Sequence, residues 1–396
     1  MAKKNIKKTM QKQVQQKRRS KKLVIPDCKH FNGYKPCFPN TNCLNGCVDP
    51  KPRGKKILII NLEAMGNVLV TTSLLPAIKR KYKDCSIYWI TLKNAYRLLD
   101  NNPLIEKVFV WEPESWLKLQ AMKFDIAMNI DKAAHAGAFL STIDAKTKLG
   151  YGVNSDGVII PLNKEAEYNY RLGLDDEFKF RVNQKPNTQL LTEAMGLKWQ
   201  RDEYILTLTE EEQRFSSNYR NDVLKSSNGK KNIIVGFNTG CSLLYSNKKM
   251  TIDQHVVLIH ELSKRKNIQL VLLGGPEDTE RNAEIVRQVG NKVVSTPTTE
   301  GLRRGICYEN ICDIVISGDS FGMHIAVGLK KFVIAWFGVS CPQEIDLYDR
   351  GVKLIPEGLF CSPCWKNKCP YDLECIQMID LERIVSEVDE FVGKRC

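Results

Sequence analysis

The chain of 396 residues has no apolar run that reaches the roughly 18 residues needed to cross a bilayer. Its N-terminus also lacks the apolar segment of a secretory signal. We therefore expect a cytoplasmic protein. Because 43% of the residues are hydrophobic, the chain has enough apolar side chains for a sizeable core, and its length predicts two domains.

Acidic side chains are absent from residues 1–22, which contain ten lysines and arginines. This segment supplies most of the formal net charge of +14. We expect residues 1–27 to form a disordered basic tail, which is either only solubilising, in contact with anionic lipid on the inner face of the membrane, or in contact with RNA. The body has no basic stripe with interleaved aromatic residues, which argues against nucleic acid as its partner.

From residue 56 onward, apolar runs of four to six residues alternate with amphipathic segments of helix length. This alternation is typical of α/β proteins, since strands covered by helices on both faces are apolar throughout. The apolar runs predict eight strands, at residues 57–60, 87–90, 108–111, 126–130, 233–237, 270–273, 314–316 and 332–336. A polar stretch, residues 226–231, separates the two sets of four.

This pattern predicts two Rossmann-like, doubly wound domains that face each other across a cleft. We place the N-terminal domain at residues 55–225 and the C-terminal domain at residues 230–396. A cysteine-bearing segment, residues 28–50, precedes them. In open α/β sheets ligands bind beyond the C-terminal ends of the strands, so the loops at those ends are the candidate sites.

The first predicted strand runs into a loop of small residues that contains Gly66 and Asn67, and a predicted helix at residues 68–82 follows. Backbone N–H groups are unpaired at a helix N-terminus, where the helix dipole is positive. The turn therefore suits a phosphate or a reacting polar group. A single glycine is equally typical of a purely structural turn.

Three strand ends in the second half carry polar groups in the same way. The first contains Thr239, Gly240 and Lys248, which suit a diphosphate leaving group. The second ends before Glu277, which either binds ribose hydroxyls or stabilises a helix N-terminus. The third strand end carries Asp319, Ser320, Gly322 and His324. A helix N-terminus with a hydroxyl suits a phosphate, whereas a lone histidine is more often structural.

Five motifs occur in one order along residues 56–392, namely EAMGNVLVTTSLLPAIK, FNTGC with NKKMT, LLGGPED, GDSFGMHIA and IAWFG. In this order they resemble glycosyltransferase family 9, the heptosyltransferases that transfer heptose from an ADP-sugar. The resemblance implies a GT-B fold and an inverting transfer from an ADP-sugar, with ADP-heptose as the first candidate. The acceptor would be a glycan, a lipid-linked sugar or a protein.

By the family pattern, the nucleotide-sugar lies in the C-terminal domain. The resemblance places its diphosphate and sugar among Asp319, Ser320, Gly322 and His324. Lys248, beside the turn of Thr239 and Gly240, would neutralise the phosphates. Glu277 would hold the ribose or base side, and Thr299 would also contact the nucleotide. No D-x-D pair follows a predicted strand, so we expect no metal at the reacting centre.

One position departs from the family pattern. Asn67 stands where the family usually has the aspartate that acts as general base, and an amide cannot take a proton at neutral pH. Glu63 is our first substitute and Asp131, at the end of the fourth predicted strand, is the second. If neither reaches the acceptor, the alternative is a non-catalytic protein that binds a nucleotide-sugar.

Fourteen cysteines in a chain expected in the cytoplasm argue for metal ligation rather than disulfides. Four of them lie close together: Cys361, Cys364, Cys369 and Cys375. Their spacing suits one tetrahedral zinc or iron ion, and unliganded thiols are the alternative. The group resembles the iron-bearing cysteine finger of bacterial autotransporter heptosyltransferases, which glycosylate proteins.

A second group is more widely spaced and has no C-x2-C pair. It consists of Cys28, Cys37, Cys43 and Cys47. It predicts a second structural site for zinc or iron, with an iron–sulfur cluster or free thiols as alternatives. Together with the basic tail, the two groups leave a metal-stabilised nucleic-acid-binding protein as the minor alternative.

Overall fold

The computed structural model describes residues 23–44, 47–225 and 232–394. The chain divides into two compact units, Met1–Gly54 and Lys55–Cys396. In the first unit, the described residues form turns and extended segments without a helix or strand. Most of the predicted basic tail and the whole predicted linker at residues 226–231 lie outside the described residues.

The second unit begins with a six-stranded sheet. Its strands are β1 (Lys55–Ile60), β2 (Cys85–Thr91), β3 (Lys107–Val110), β4 (Lys123–Asn129), β5 (Asp144–Val153) and β6 (Ile159–Pro161). They lie in the order β3-β2-β1-β4-β5-β6. All neighbours are parallel except β5 and β6. Central β1 is buried from Ile57 to Ile60, because helices cover both faces of the sheet.

The described residues up to 225 contain seven α-helices. They are α1 (Met65–Thr71), α2 (Leu74–Lys81), α3 (Pro113–Gln120), α4 (Ala134–Thr142), α5 (Glu167–Arg171), α6 (Asn187–Ala194) and α7 (Glu210–Lys225). A short π-helical turn, Phe178–Val182, lies between α5 and α6. Residues of this turn lie in the cleft described below.

A second sheet repeats the same topology. Its strands are β7 (Ile233–Asn238), β8 (Ile268–Leu273), β9 (Val293–Ser295), β10 (Ile314–Gly318), β11 (Phe332–Trp336) and β12 (Gly351–Leu354). All are parallel, in the order β12-β11-β10-β7-β8-β9. The helices are α8 (Ile252–Leu262), α9 (Thr279–Val289), α10 (Leu302–Asn310), α11 (Phe321–Gly328), α12 (Glu374–Gln377) and α13 (Leu381–Gly393).

The two sheets confirm the predicted α/β, doubly wound fold, and each of the eight predicted strands is present. The division into domains at residues 225 and 230 stays a prediction, since Lys55–Cys396 forms a single compact unit. Within this unit α1 of the first half packs against α11 of the second. No helix in the described part of the chain is long and apolar enough to span a membrane.

The helix predicted at residues 68–82 is broken into α1 and α2. Pro76 explains the break, because it has no N–H for the carbonyl of Thr72 and its ring would clash with that carbonyl. The Thr72 hydroxyl instead donates to the Leu69 carbonyl at 2.6 Å and accepts the Ile205 N–H at 2.8 Å. The break thus anchors a later segment of the chain to α1.

Two helical glycines differ in what surrounds them and provide a test of the packing. A Cβ on Gly137 in α4 would lie 2.8 Å from the carbonyl carbon of Gly152 in β5, whereas one on Gly305 in α10 would meet nothing within 4 Å. We expect Gly137→Ala to lower the free energy of unfolding by about 1–3 kcal/mol, because backbone must move. Gly305→Ala should raise it by about 0.5–1 kcal/mol through helix propensity. Urea denaturation measures both, and equal midpoints for the two variants would contradict this packing.

Candidate active site

A buried ion pair joins two strand-end loops of the second sheet. Lys248 Nζ lies 2.7 Å from Asp319 Oδ2, and the two side chains are only 10% and 12% exposed. Lys248 ends a short 3-10 helix after β7, and Asp319 follows β10. Burial opposes ionisation of Asp319, but the neighbouring groups, of which the charge of Lys248 has the largest effect, together outweigh it and hold the pKa of Asp319 below its usual value.

Next to the ion pair, an amide organises the hydroxyl groups around the start of α11. Asn238 Nδ2 donates to Ser317 Oγ at 2.9 Å and to Ser320 Oγ at 2.7 Å. A Cβ on Gly322 would lie 2.4 Å from the same Nδ2 atom, so this close approach requires glycine. The arrangement leaves the N-terminus of α11 lined by small groups that suit an anion.

A second ion pair supports the loop after β7. Lys249 Nζ lies 3.1 Å from Asp278 Oδ1, and Asp278 Oδ2 accepts the Gly275 N–H at 3.1 Å. A Cβ on Gly240 would lie 1.9 Å from Asp278 Oδ2, which explains the glycine there. The sequence analysis singled out the neighbouring Glu277 and missed Asp278, although both stand in the LLGGPED motif.

The other predicted nucleotide contacts lie around this loop. Thr239 is buried and its hydroxyl donates to Asn282 Oδ1 at 2.6 Å. Glu277 is exposed at the mouth of the β8 turn, where it could reach a ligand. Thr299 is also exposed, one residue after Thr298. The structure thus places Thr239 as a support of the loop and leaves Glu277 and Thr299 on its surface.

His324 is one of the points at which the two halves meet. A Cβ on Gly66, in α1, would lie 2.9 Å from Cδ2 of His324, so only glycine fits there. The ring is buried, with Nδ1 3.5 Å from the hydroxyl of Tyr204. Burial lowers the pKa of His324 although Asp319 opposes this, so the neutral imidazole is favoured at neutral pH.

On the opposite side, Asp131 ties the loop after β1 to the end of β4. Its carboxyl group accepts hydrogen bonds from Asn61 Nδ2 at 2.7 Å, from the Leu62 N–H and from the Glu63 N–H at 3.3 Å. Burial raises the pKa of Asp131 to about 7, partly offset by these donors. The hydrogen bonds of Asp131 therefore stabilise the loop after β1.

Glu63 and Asn67 are both exposed on the same loop and helix start. Oε1 of Glu63 lies 3.8 Å from Nε2 of His135, at the start of α4. The sequence analysis did not consider His135, because nothing in its neighbourhood along the chain marks it. Glu63 is thus an accessible carboxylate that lies next to an imidazole ring.

The cleft also contains charged groups that the sequence analysis did not single out. Burial raises the pKa of Glu344, against the opposing charges of Lys179 and Lys132. The pKa of Lys132 falls to about 8, because the surrounding protein displaces water from its ammonium group and Lys179 is close by. Two lysines from the first half therefore lie near the Lys248–Asp319 pair of the second.

The four C-terminal cysteines line one pocket. Cys369 Sγ accepts the backbone N–H groups of Tyr371 at 3.3 Å and Leu373 at 3.4 Å, and burial raises the pKa of Cys375 to about 11. In the N-terminal group, the Lys51 N–H lowers the pKa of the Cys28 thiol. Across residues 23–44, 47–225 and 232–394, no three His, Cys, Asp or Glu side chains are arranged around a common metal position.

The model of glycosyltransferase family 9 (heptosyltransferase) matches residues 114–374, which is about two thirds of the chain and includes strands β4 to β12. The chain belongs to glycosyltransferase family 9. This glycosyltransferase is 22% identical over 362 residues to lipopolysaccharide heptosyltransferase 1 of Campylobacter coli, a match that covers 85% of this chain and 99% of the relative.

Two solved structures share the fold of this family 9 glycosyltransferase. ADP-heptose LPS heptosyltransferase II of E. coli has a TM-score of 0.63 at 16% identity, with 86% of this chain and 99% of the other covered. The dodecameric, iron-containing heptosyltransferase TibC, in complex with ADP-D-beta-D-heptose, has a TM-score of 0.51 at 10% identity, with 86% and 78% covered. At these identities the likeness shows the two-domain Rossmann-like architecture.

Removal of the buried lysine tests the central ion pair of this glycosyltransferase. Lys248→Met should lower the free energy of unfolding at pH 8 by about 3–5 kcal/mol, because it leaves the Asp319 carboxylate buried without a partner. The loss should shrink as the pH falls, since protonation of Asp319 removes the unpaired charge. The matched control is Lys330→Met, which breaks an exposed pair with Glu203 and should cost less than about 1 kcal/mol. A loss for Lys248→Met no larger than the control's, measured by urea denaturation, would show that the pair is not stabilising.

Proposed function

We propose that this glycosyltransferase is an inverting heptosyltransferase that uses ADP-heptose as donor. Residues 230–396 bind the donor and residues 55–225 present the acceptor, a glycan or lipid-linked sugar of lipopolysaccharide synthesis or a protein side chain. The relatives' names support heptose and ADP. The contact between Gly66 and His324 carries the proposal, because it brings the loop with the candidate bases against the donor side.

In the proposed transfer, the acceptor hydroxyl oxygen attacks the anomeric carbon as the bond to the diphosphate breaks. Negative charge then grows on the departing ADP. Lys248 and the N–H groups at the start of α11, beside Ser320, lie where they would stabilise that charge. Lysine and a helix N-terminus supply this stabilisation without a divalent ion at the reacting centre.

The acceptor hydroxyl must lose its proton, and Glu63 is the base we propose. Its carboxylate is exposed on the loop after β1, whereas that of Asp131 is buried and occupied by three donors. Asn67 also faces solvent here and could only hydrogen-bond the acceptor. Asp131 would then act on the reaction by holding the loop in place.

Calorimetric titration with ADP, ADP-heptose, UDP and GDP tests the donor site. We expect selective binding of the two adenine compounds. The double variant Lys248→Ala/Asp319→Ala should lose this binding, because it removes both the ammonium group that neutralises the phosphates and the ion pair that joins the two loops. Lys330→Ala is the control and should bind like the wild type. If the wild type binds none of the four nucleotides, the transferase proposal fails.

Transfer rates of base variants identify the proton acceptor. Glu63→Gln should lower kcat by about 10²–10⁴-fold, because the amide cannot take the proton. If Asp131 were the base instead, the wild-type rate would halve near pH 7 and fall below it, since the protonated carboxyl cannot accept a proton. A Glu63→Gln variant with normal kcat, together with that pH profile, would move the role to Asp131. Retained ADP-heptose binding without turnover in the wild type would favour a non-catalytic binding protein.

We also propose that Cys361, Cys364, Cys369 and Cys375, which line one pocket but do not surround a common position in the structure, hold one structural zinc or iron ion. Their spacing along the chain suits a single tetrahedral ion, for which thiolates are soft ligands. Elemental analysis should find about one metal ion per chain, lost in Cys361→Ser/Cys364→Ser and retained in Cys85→Ser. Metal-free wild-type protein, purified anaerobically, would contradict the proposal. A content near two metal ions per chain would indicate that the second cysteine group, which includes Cys28, also binds a metal ion.

A further inference from the structure

The first half contains an aromatic groove that the proposed reaction does not yet use. Its lining includes Trp111, Trp116, Gln120, His135 and Phe139, from the end of β3, α3 and α4. These residues are called the aromatic groove below. The space above these residues measures about 460 Å³ and is largely open to solvent; small-molecule sites measure roughly 300–1,000 Å³.

The rings of the groove hold each other in place. The ring centroid of Trp111 lies 4.7 Å from that of Trp116, 5.0 Å from that of Phe139 and 5.9 Å from that of His135. Nε1–H of Trp116 is buried, and it finds no hydrogen-bond acceptor among the described residues. Buried indole N–H groups usually have a partner, and those of Trp89 and Trp199 are unpaired as well, but among these three residues only Trp116 lines the groove.

The absence of charged side chains from the groove lining limits the kind of ligand that it can bind. Its lining contains no Lys, Arg, Asp or Glu. A phosphate or carboxylate would therefore find no counter-ion, whereas a neutral sugar combines an apolar C–H face for the indole rings with hydroxyl groups. Gln120 and Thr142, which hydrogen-bond each other at 2.9 Å, have remaining acceptor capacity for such hydroxyls.

The groove reaches the loop that carries the proposed base. His135 lines the groove, and its Nε2 atom lies 3.8 Å from Glu63 Oε1. A ring stacked on Trp111 would therefore extend toward that carboxylate. We propose that the aromatic groove binds a neutral sugar ring of the acceptor and so directs the acceptor hydroxyl to Glu63. This inference rests on the proposed glycosyltransferase function.

Saturation-transfer NMR with methyl glycosides of mannose, glucose and L-glycero-D-manno-heptose tests the groove. We expect the wild type to bind at least one of them at millimolar concentration. Trp116→Phe, which keeps a ring but removes the N–H, should weaken binding at least fivefold, and Trp111→Ala/Trp116→Phe should abolish it. Trp199→Phe, in the same half but outside the groove lining, is the matched control.

The outcomes separate this inference from the donor proposal. Equal saturation of the wild type and the groove variants would overturn it, as would binding to phosphatidylcholine vesicles that displaces the glycosides. ADP titration of the groove variants should match the wild type, because the donor site lies in the other half. A wild type that binds glycosides but no nucleotide would count against the proposed function while leaving the groove as a sugar site.

A second inference comes from a separate observation in the cysteine segment. The ring centroid of Trp365 lies 4.8 Å from Lys248 Nζ of the second half and 4.2 Å from Lys179 Nζ of the first. Tyr245 packs on the ring edge, at 5.6 Å between centroids. One indole between Cys364 and Cys369 thus contacts the proposed donor lysine and a cleft lysine together.

Other contacts anchor the same segment on both sides of the cleft. Asn247 Nδ2 donates to the Lys366 carbonyl at 2.8 Å, and Arg181 donates to the carbonyls of Phe360 and Ser362, each at 3.3 Å. A cation over an aromatic face is attracted by the ring electrons, and more strongly when water is excluded. We infer that Trp365 is a positioning residue, which holds Lys248 ready for the donor diphosphate.

ADP calorimetry on Trp365 variants tests this inference, which also rests on the proposed donor site. Trp365→Ala should raise the Kd for ADP about tenfold, and Trp365→Phe should recover most of the affinity because it restores an aromatic face. Tyr371→Ala is the matched control, since it changes the same segment without touching either lysine. Wild-type affinity in Trp365→Ala, or equal losses in Trp365→Ala, Trp365→Phe and Tyr371→Ala, would overturn it. A wild type without ADP affinity would instead defeat the donor proposal.

Discussion

The buried pair of Lys248 and Asp319 is the interaction on which the candidate site depends. It joins the loop after β7 to the loop after β10, and two nearly inaccessible charges so close together must stay paired. The pair thereby fixes the start of α11 and keeps an ammonium group at its N-terminus. An anionic leaving group at that position would meet charge and N–H donors that are already oriented, which lowers the cost of reorganisation during reaction.

The second constraint is the close approach of the two halves. Gly66 has no side chain and His324 fills the space that a Cβ would take, so α1 and α11 pack directly. This contact places the loop with Glu63 opposite the donor loops. The buried carboxyl group of Asp131 stabilises that loop by accepting its backbone N–H groups. Acceptor chemistry and leaving-group chemistry are thus supplied by different sheets, and each half has its own buried support.

Much of the fold follows from local patterns. Strands such as β1 and β7 are buried on both faces, and their continuous apolar runs identify them. Strand β5 is not among the predicted strands because its first five residues, 144–148, contain only one apolar side chain and are exposed or half-buried. The single predicted helix at residues 68–82 was wrong because the effect of Pro76 on the carbonyl four residues earlier outweighed the amphipathic pattern.

The sequence by itself determined the α/β class, the family and the strand ends that carry polar residues, since each of these depends on neighbours along the chain. Only the tertiary structure decided which polar residues meet. Nothing local marks His135, and the motif around Asp278 and the cysteines around Trp365 do not single those residues out. Each of the three acquires its role from a partner far away in sequence: Glu63, Lys249 and Lys248. Ion pairs and ring contacts depend on distances of a few ångströms in space, and these are set by how the two sheets and their loops pack.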